Sequence, residues 1–186
     1  MKFDEIYRTR PDQKDIGSSG YSRMKHLYDL AQKIKPDTIV ESGTWKGNGS
    51  YLFYHAMPGS YITCFDISFD QLLWDHAWIT YLKYDITKAD WSDLYDNERT
   101  LIFFDDHIDQ VRRLYWARET GIKHLVFDDN VPWDEARHLK NPPVPTLQMF
   151  FSLFPDGLPG WIAEYEILPW LGREARNTYL TYVKLK

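Results

Sequence analysis

Residues 38–50 read Thr-Ile-Val-Glu-Ser-Gly-Thr-Trp-Lys-Gly-Asn-Gly-Ser. A short apolar run over 38–41 passes straight into a glycine-bearing turn, and a helix-length segment follows it. Glycine lets the backbone bend sharply and lie close to a ligand, while a helix N-terminus offers free N–H groups. The stretch therefore reads as a cradle for a nucleotide-like ligand or, more plainly, as a tight strand-to-helix turn. Its glycines, at 43, 47 and 49, follow Gly-x-x-x-Gly-x-Gly. The dinucleotide fingerprint is Gly-x-Gly-x-x-Gly, so a nicotinamide cofactor is a poor match.

Working outward, residues 21–35 place Met24, Leu27, Tyr28, Ala31 and Ile34 on one helical face, with Ser22 as the expected N-cap and Pro36 as the stop. The segment before it, 1–20, holds Gly17, Ser18, Ser19 and Gly20 and is expected to be a loose or substrate-covering arm. Further short apolar runs fall at 61–66, 79–85, 101–105 and 123–127. Between the last two, residues 109–120 carry Val111, Leu114, Tyr115 and Arg118 on one side. Alternating strands and helices predict a mostly parallel sheet covered on both faces. Two final runs, 161–168 and 178–185, leave no room for a crossover helix and should pair antiparallel. The fold class expected is α/β, doubly wound, with five parallel strands and a C-terminal antiparallel hairpin. Residues 131–146 hold Pro132, Pro142, Pro143 and Pro145 after the fifth strand. They read as a substrate lid at the ligand-binding edge or as a connection to the next helix.

A chain of 186 residues is the size of one domain, here 1–186 including the arm. A net charge of −5 without a Lys/Arg-rich run disfavours a general grip on nucleic acid, so the expected partner is a small molecule. With 17% aromatic residues the chain can build a large core. Cys64 is the only cysteine and is expected to be buried in a strand. No apolar run is long enough for a membrane span or a signal-peptide core, so a cytoplasmic protein is the default expectation.

The acids carry the chemistry. Asp66 closes the second strand about 20 residues beyond the first glycine, where a carboxylate can accept from both hydroxyls of a ribose. Asp85 closes the third. Phe103-Phe104-Asp105-Asp106-His107 and Phe127-Asp128-Asp129-Asn130 close the fourth and fifth. On neighbouring strands these carboxylates would repel unless some faced away or a cation neutralised them. An oxygen-rich, thiolate-free set suits Mg²⁺, Ca²⁺ or Mn²⁺. Side chains alternate along a strand, so Asp105 and Asp128 are expected to turn outward instead of joining Asp106 and Asp129.

This order of features resembles a class I S-adenosylmethionine-dependent methyltransferase from residue 21 to the C-terminus, including the hairpin that puts one antiparallel strand into a seven-stranded sheet. The resemblance implies that Glu41, Gly43, Thr44 and Gly47 hold the methionine part of the cofactor, Asp66 its ribose and Asp85 its adenine, with Asp105 beside them. Asp106, Asp129 and Asn130 are similar to the metal ligands of cation-dependent, catechol-type O-methyltransferases, which implies Mg²⁺. In that group a catalytic lysine follows three positions after the first metal aspartate, and here the position is Asp109. The Phe-Phe-Asp-Asp-His run also resembles the group of cephalosporin hydroxylase and sugar O-methyltransferases, whose acceptors are not catechols. His107 is the nearest candidate base, since imidazoles change charge near neutrality, or else a hydrogen-bonding partner of the acid cluster, and Asp109 can take up a proton. Trp45, Trp133 and Trp170 are expected either to wall an acceptor ring or to serve packing. The alternative is a nucleoside- or metal-binding protein on this fold without methyl transfer.

Overall fold

The structure is a computed structural model describing residues 1–14, 20–91, 96–135, 144–172 and 179–186. Among the described residues seven strands form one sheet: β1 (Thr38–Ser42), β2 (Tyr61–Phe65), β3 (Ile79–Leu82), β4 (Thr100–Phe104), β5 (His124–Phe127), β6 (Ile162–Ile167) and β7 (Thr181–Leu185). Their order is β3-β2-β1-β4-β5-β7-β6. β1 to β5 pair in parallel, while β7 pairs antiparallel with both β5 and β6. The expected parallel set and terminal hairpin are both present. The order reverses between β1 and β4, and such a switch point opens a crevice at the strands' carboxyl ends.

β1 and β4 are buried along their whole length, the signature of central parallel strands covered on two faces. Alternate side chains split the core into two layers. Ile39, Ile62, Leu101, Phe103 and Val126 pack with α2 (Tyr21–Ile34) and α3 (Asn48–Ala56). Val40, Phe65, Ile102, Phe104, Leu125 and Phe127 pack on the other face with α4 (Gln110–Thr120) and α5 (Leu147–Phe151). Cys64 is buried in β2 as expected. Among the described residues no helix is long and apolar enough to cross a membrane.

Three local expectations need correction. The arm is not without structure: α1 (Phe3–Thr9) buries Phe3 and Ile6, and Phe3 packs against Tyr7, Tyr21 and Tyr28. Beyond it Lys46 Nζ pairs with Asp12 Oδ2 at 2.6 Å, pinning the segment to the turn after β1, whereas Gly17, Ser18 and Ser19 lie outside the described residues. Ser22 does not cap α2. Gly20 is the N-cap, and the buried Ser22 hydroxyl accepts from Leu171 N–H at 3.0 Å. On α4 the buried stripe is Gln110, Arg113, Leu114 and Ala117, so Tyr115 is left exposed and an arginine takes an inner position.

Candidate active site

The site begins where β1 ends. Gly43 adopts φ +88°, and a Cβ there would overlap the Asp105 carbonyl and stand 2.7 Å from Asp106 N, so the ends of β1 and β4 approach as only glycine allows. The turn then places the N–H groups of Thr44 and Trp45 on Asp66 Oδ2, at 2.8 and 3.0 Å, while Asp66 Oδ1 accepts from Ser68 N. Asp66 therefore clamps the glycine turn at the mouth of the crevice. Thr44 contributes its N–H; its hydroxyl is buried. Gly47 caps α3 with φ +84°.

Glu41 departs from its expected place. It is 2% exposed and turned beneath α3, where Cys64 Sγ donates to Oε2 at 3.5 Å and Gly49 leaves room that a Cβ would fill. Burial pushes its carboxyl well above the usual glutamate range, and it supports the turn from below.

A cleft of about 490 Å³ opens above these strand ends, within the ordinary size range of small-molecule sites. Gly43, Trp45 and Asp66 line one side, Phe65, Ile67 and Tyr84 give it apolar walls, and Asp105, Asp106, His107, Ile108 and Asp129 line the other side, with Arg23, Ser42, Asp85 and Arg113 also on the lining. Of the three tryptophans expected as walls only Trp45 does so. Trp133 and Trp170 are exposed away from the lining. Trp45, His107 and Asp129 are non-glycine residues with φ of 44°, 52° and 51°. Each follows a different strand, and such uncommon backbone conformations cluster where side chains are re-aimed for function.

The acid cluster is neutralised by two arginines that the sequence reading did not single out. Arg113, 2% exposed, spans the crevice floor. Its Nη1 and Nη2 each lie 2.9 Å from an Asp85 oxygen, and its Nε lies 2.9 Å from Asp106 Oδ2. This guanidinium holds the Asp85 carboxyl well below the usual carboxylate range. Arg23, 4% exposed, reaches from α2 to Asp128 Oδ2, to Asp105 Oδ2 at 3.4 Å and to Asp129 Oδ1 at 3.9 Å. Asp105 and Asp128 therefore do not turn outward: Arg23 holds both, Asp128 is buried, and Asp105 lines the cleft beside Asp129. Burial pushes the Asp105 carboxyl up to about 6 against the opposing pull of Arg23. A signal for both arginines existed: Arg23 precedes Leu27 and Leu30 at helical spacing, and Arg113 stands between Gln110 and Ala117, each within an otherwise core-facing stripe.

Of the expected metal ligands, Asp106 and Asp129 both line the cleft, whereas Asn130 is turned into the protein. Asp106 Oδ2 accepts from Ser42 Oγ at 2.6 Å as well as from Arg113, and its Oδ1 accepts from Ile108 N. Asn130 is fully buried: its amide donates to Tyr165 OH and Thr181 Oγ1, and its oxygen accepts from Gln148 N. It anchors α5 and β7 instead of facing the cleft. Of that trio only Asp129 lines the cleft with its carboxylate uncommitted to a structural hydrogen bond. The residues that do group are Asp105, His107 and Asp129, whose ligand-type atoms lie within 4.8 Å of one another. His107 is half exposed, with Nδ1 3.4 Å from Asp129 Oδ2. Asp109 is the N-cap of α4, accepting from Arg112 N at 3.0 Å, and does not line the cleft. Pro142 and Pro143 of the expected lid lie outside the described residues; at its ends Thr146 Oγ1 donates to the Val131 carbonyl at 2.7 Å.

No protein-family model matches the chain, and no curated protein matches it in sequence. Solved structures match in shape. An O-methyltransferase from Bacillus cereus in complex with SAH aligns with a TM-score of 0.64 at 17% identity, over 98% of this chain and 90% of that one. CmcI with Mg and SAM aligns with a TM-score of 0.63 at 13% identity, over 89% and 72%. The O-methyltransferase TomG from Streptomyces achromogenes, involved in tomaymycin synthesis and in complex with SAM, aligns with a TM-score of 0.54 at 13% identity, over 88% and 79%. The chain has the Rossmann-like fold of the class I S-adenosylmethionine-dependent methyltransferases.

Proposed function

We propose that the chain transfers a methyl group from S-adenosylmethionine to a hydroxyl oxygen of a small-molecule acceptor. The observation that carries this reading is the switch-point cleft, with the Gly43 turn and Asp66 on one side and the His107–Asp129 pair on the other. The residues fit the cofactor. The space is nucleoside-sized, Ile67, Tyr84 and Ile108 offer apolar surface to a base, and Asp66, whose Oδ2 already takes two N–H groups, lines the cleft with Oδ1, engaged by Ser68 N–H, left to meet a ribose hydroxyl. Asp85 contributes through Arg113, because both its oxygens are paired. When bound, the cofactor supplies an electrophilic methyl on a sulfonium.

His107 holds the acceptor's proton at Nε2 while Asp129, facing Nδ1, fixes the ring; most of the rate gain comes from aligning acceptor and methyl within the cleft. The grouping of Asp105, His107 and Asp129 is where a divalent cation would sit in a second reading, but the Arg23 guanidinium within ion-pair distance of both carboxylates weighs against it; the Mg in the CmcI structure is said of that protein alone. Calorimetry with S-adenosylmethionine, followed by label transfer to a panel of glycosides, catechols and polyhydroxylated metabolites, tests the proposal. Cofactor binding together with transfer to a hydroxylated acceptor supports it. Absence of cofactor binding sinks it, and tight binding without transfer to any acceptor favours a non-catalytic nucleoside-binding protein.

A further inference from the structure

The acids at the ends of β4 and β5 are already met by a positive charge. One guanidinium, from Arg23, stands within ion-pair distance of Asp105, Asp128 and Asp129, and the fourth acid, Asp106, is held by Arg113. The Arg23 side chain is only 5% exposed, so its charge is not diluted by water. Asp128 is more deeply buried, and apart from Arg23 no donor among the described residues reaches its oxygens. Removing the guanidinium would leave that carboxylate with no compensating charge.

We infer that Arg23 is the resident cation of this acid cluster and that it closes the position to a divalent metal. An ion held by Asp105 and Asp129 would have to share both carboxylates with the guanidinium and stand against its charge. The two further oxygen ligands that the sequence offered are committed, Asp106 to Arg113 and Ser42, and Asn130 to Tyr165 and Thr181. His107 faces Asp129 through Nδ1 at 3.4 Å and Asp105 through Nε2 at 4.0 Å, so whichever nitrogen it lent to an ion, that ion would still share both carboxylates with Arg23. A helix on the periphery, α2, thereby supplies the charge that a bound metal would bring. That charge cannot be removed by a chelator.

The inference does not depend on methyl transfer, because the probe is the metal alone. Thermal unfolding of the purified protein is followed with EDTA and with millimolar Mg²⁺ or Mn²⁺, together with Mn²⁺ binding by electron paramagnetic resonance. Wild type is expected to show the same melting temperature throughout and no stoichiometric Mn²⁺. Arg23→Met is expected to gain one Mn²⁺ per chain and a metal-dependent rise in melting temperature, a gain lost again in Arg23→Met/Asp129→Asn. Should Arg23→Met not fold, Arg23→Gln/Asp128→Asn, which removes one charge of each sign, is read in the same way. Stoichiometric Mn²⁺ on wild type that disappears in Asp129→Asn overturns the inference, and so does failure of every folded Arg23 variant to acquire metal.

Discussion

Arg113 and Asp85 face each other as a bidentate pair, Nη1 to Oδ1 and Nη2 to Oδ2, both at 2.9 Å. The arginine comes from α4 and the aspartate from the turn after β3, and Asp106 shares the same guanidinium. Removing one partner of a buried pair costs about 3–5 kcal/mol because the other charge stays unpaired. Arg113→Met is expected to lose stability on that scale in urea unfolding at pH 7, and Arg113→Lys to recover only part, since an ammonium cannot form the fork. The pair also sets an acid limit. The Asp85 carboxyl in the folded chain lies below its ordinary value near 3.8, so its contribution is present above that pH and is lost as pH falls further. The gap between wild type and Arg113→Met should narrow below pH 4, and a constant gap down to pH 2 would contradict the assignment.

Glu41 has the opposite sign. Burial raises its carboxyl above the ordinary 4.5, so the folded chain holds a proton that the unfolded chain releases. Its share of stability is full below that value and declines as pH rises toward the folded value, by up to about 1.4 kcal/mol per pH unit. Glu41→Gln keeps the shape and removes the proton, and is expected to be more stable than wild type at pH 8 with a shallower pH slope. Parallel stability curves for the two proteins between pH 5 and pH 8 would show that burial does not raise the Glu41 carboxyl.

The buried strands and the glycine turn were legible because burial on both faces leaves continuous apolar runs, and because Gly43 marks a backbone position that no side chain could occupy. What escaped were contacts that form only when distant segments meet. Arg23 lies 82 residues from Asp105, and Arg113 lies 28 from Asp85, separations at which sequence spacing says nothing about approach. The same limit applies at Asn130: an amide beside an aspartate reads as a ligand pair, whereas the left-handed turn at Asp129 sends the two side chains apart, one to the cleft and one to β7. The helix α1 was missed because seven residues are too few for a periodic pattern to stand out.

Gly43→Ala tests the close approach of β1 and β4. With φ at +88° and a Cβ overlapping the Asp105 carbonyl, the variant must either strain the backbone or separate the strand ends. A loss of at least about 1–3 kcal/mol is expected, together with weakened S-adenosylmethionine binding. A variant as stable as wild type, with the same calorimetric affinity, would show that the turn has room the geometry denies it.

Asp66→Ala removes the acceptor of the Thr44 and Trp45 N–H groups and the carboxylate assigned to the ribose. Cofactor affinity should fall by about 1.5–3 kcal/mol, the scale of hydrogen bonds to a charged group. Because the same change loosens the turn, S-adenosylmethionine is compared with methionine alone as ligand. A loss confined to the nucleoside-containing ligand identifies the ribose contact, equal losses identify the turn, and unchanged affinity in the folded variant removes Asp66 from the site.

Asp109 stands where the catechol-type group has its lysine, and its carboxylate is spent on capping α4. An N-cap replaced by alanine costs about 0.5–2 kcal/mol of stability, and that should be the main effect of Asp109→Ala. Turnover on the protein's own acceptor is expected to stay within about twofold, as for surface substitutions away from the chemistry. His107→Ala, by contrast, should lower turnover by about 10²–10⁴, the range for a positioned general base, with S-adenosylmethionine affinity retained. Asp109→Lys should not create catechol methylation, because a side chain starting at the helix cap does not line the cleft. Labelled-methyl assays on the three variants separate these roles: a collapse of turnover in Asp109→Ala at full stability would return Asp109 to the chemistry, and unaltered turnover in His107→Ala would remove His107 from it.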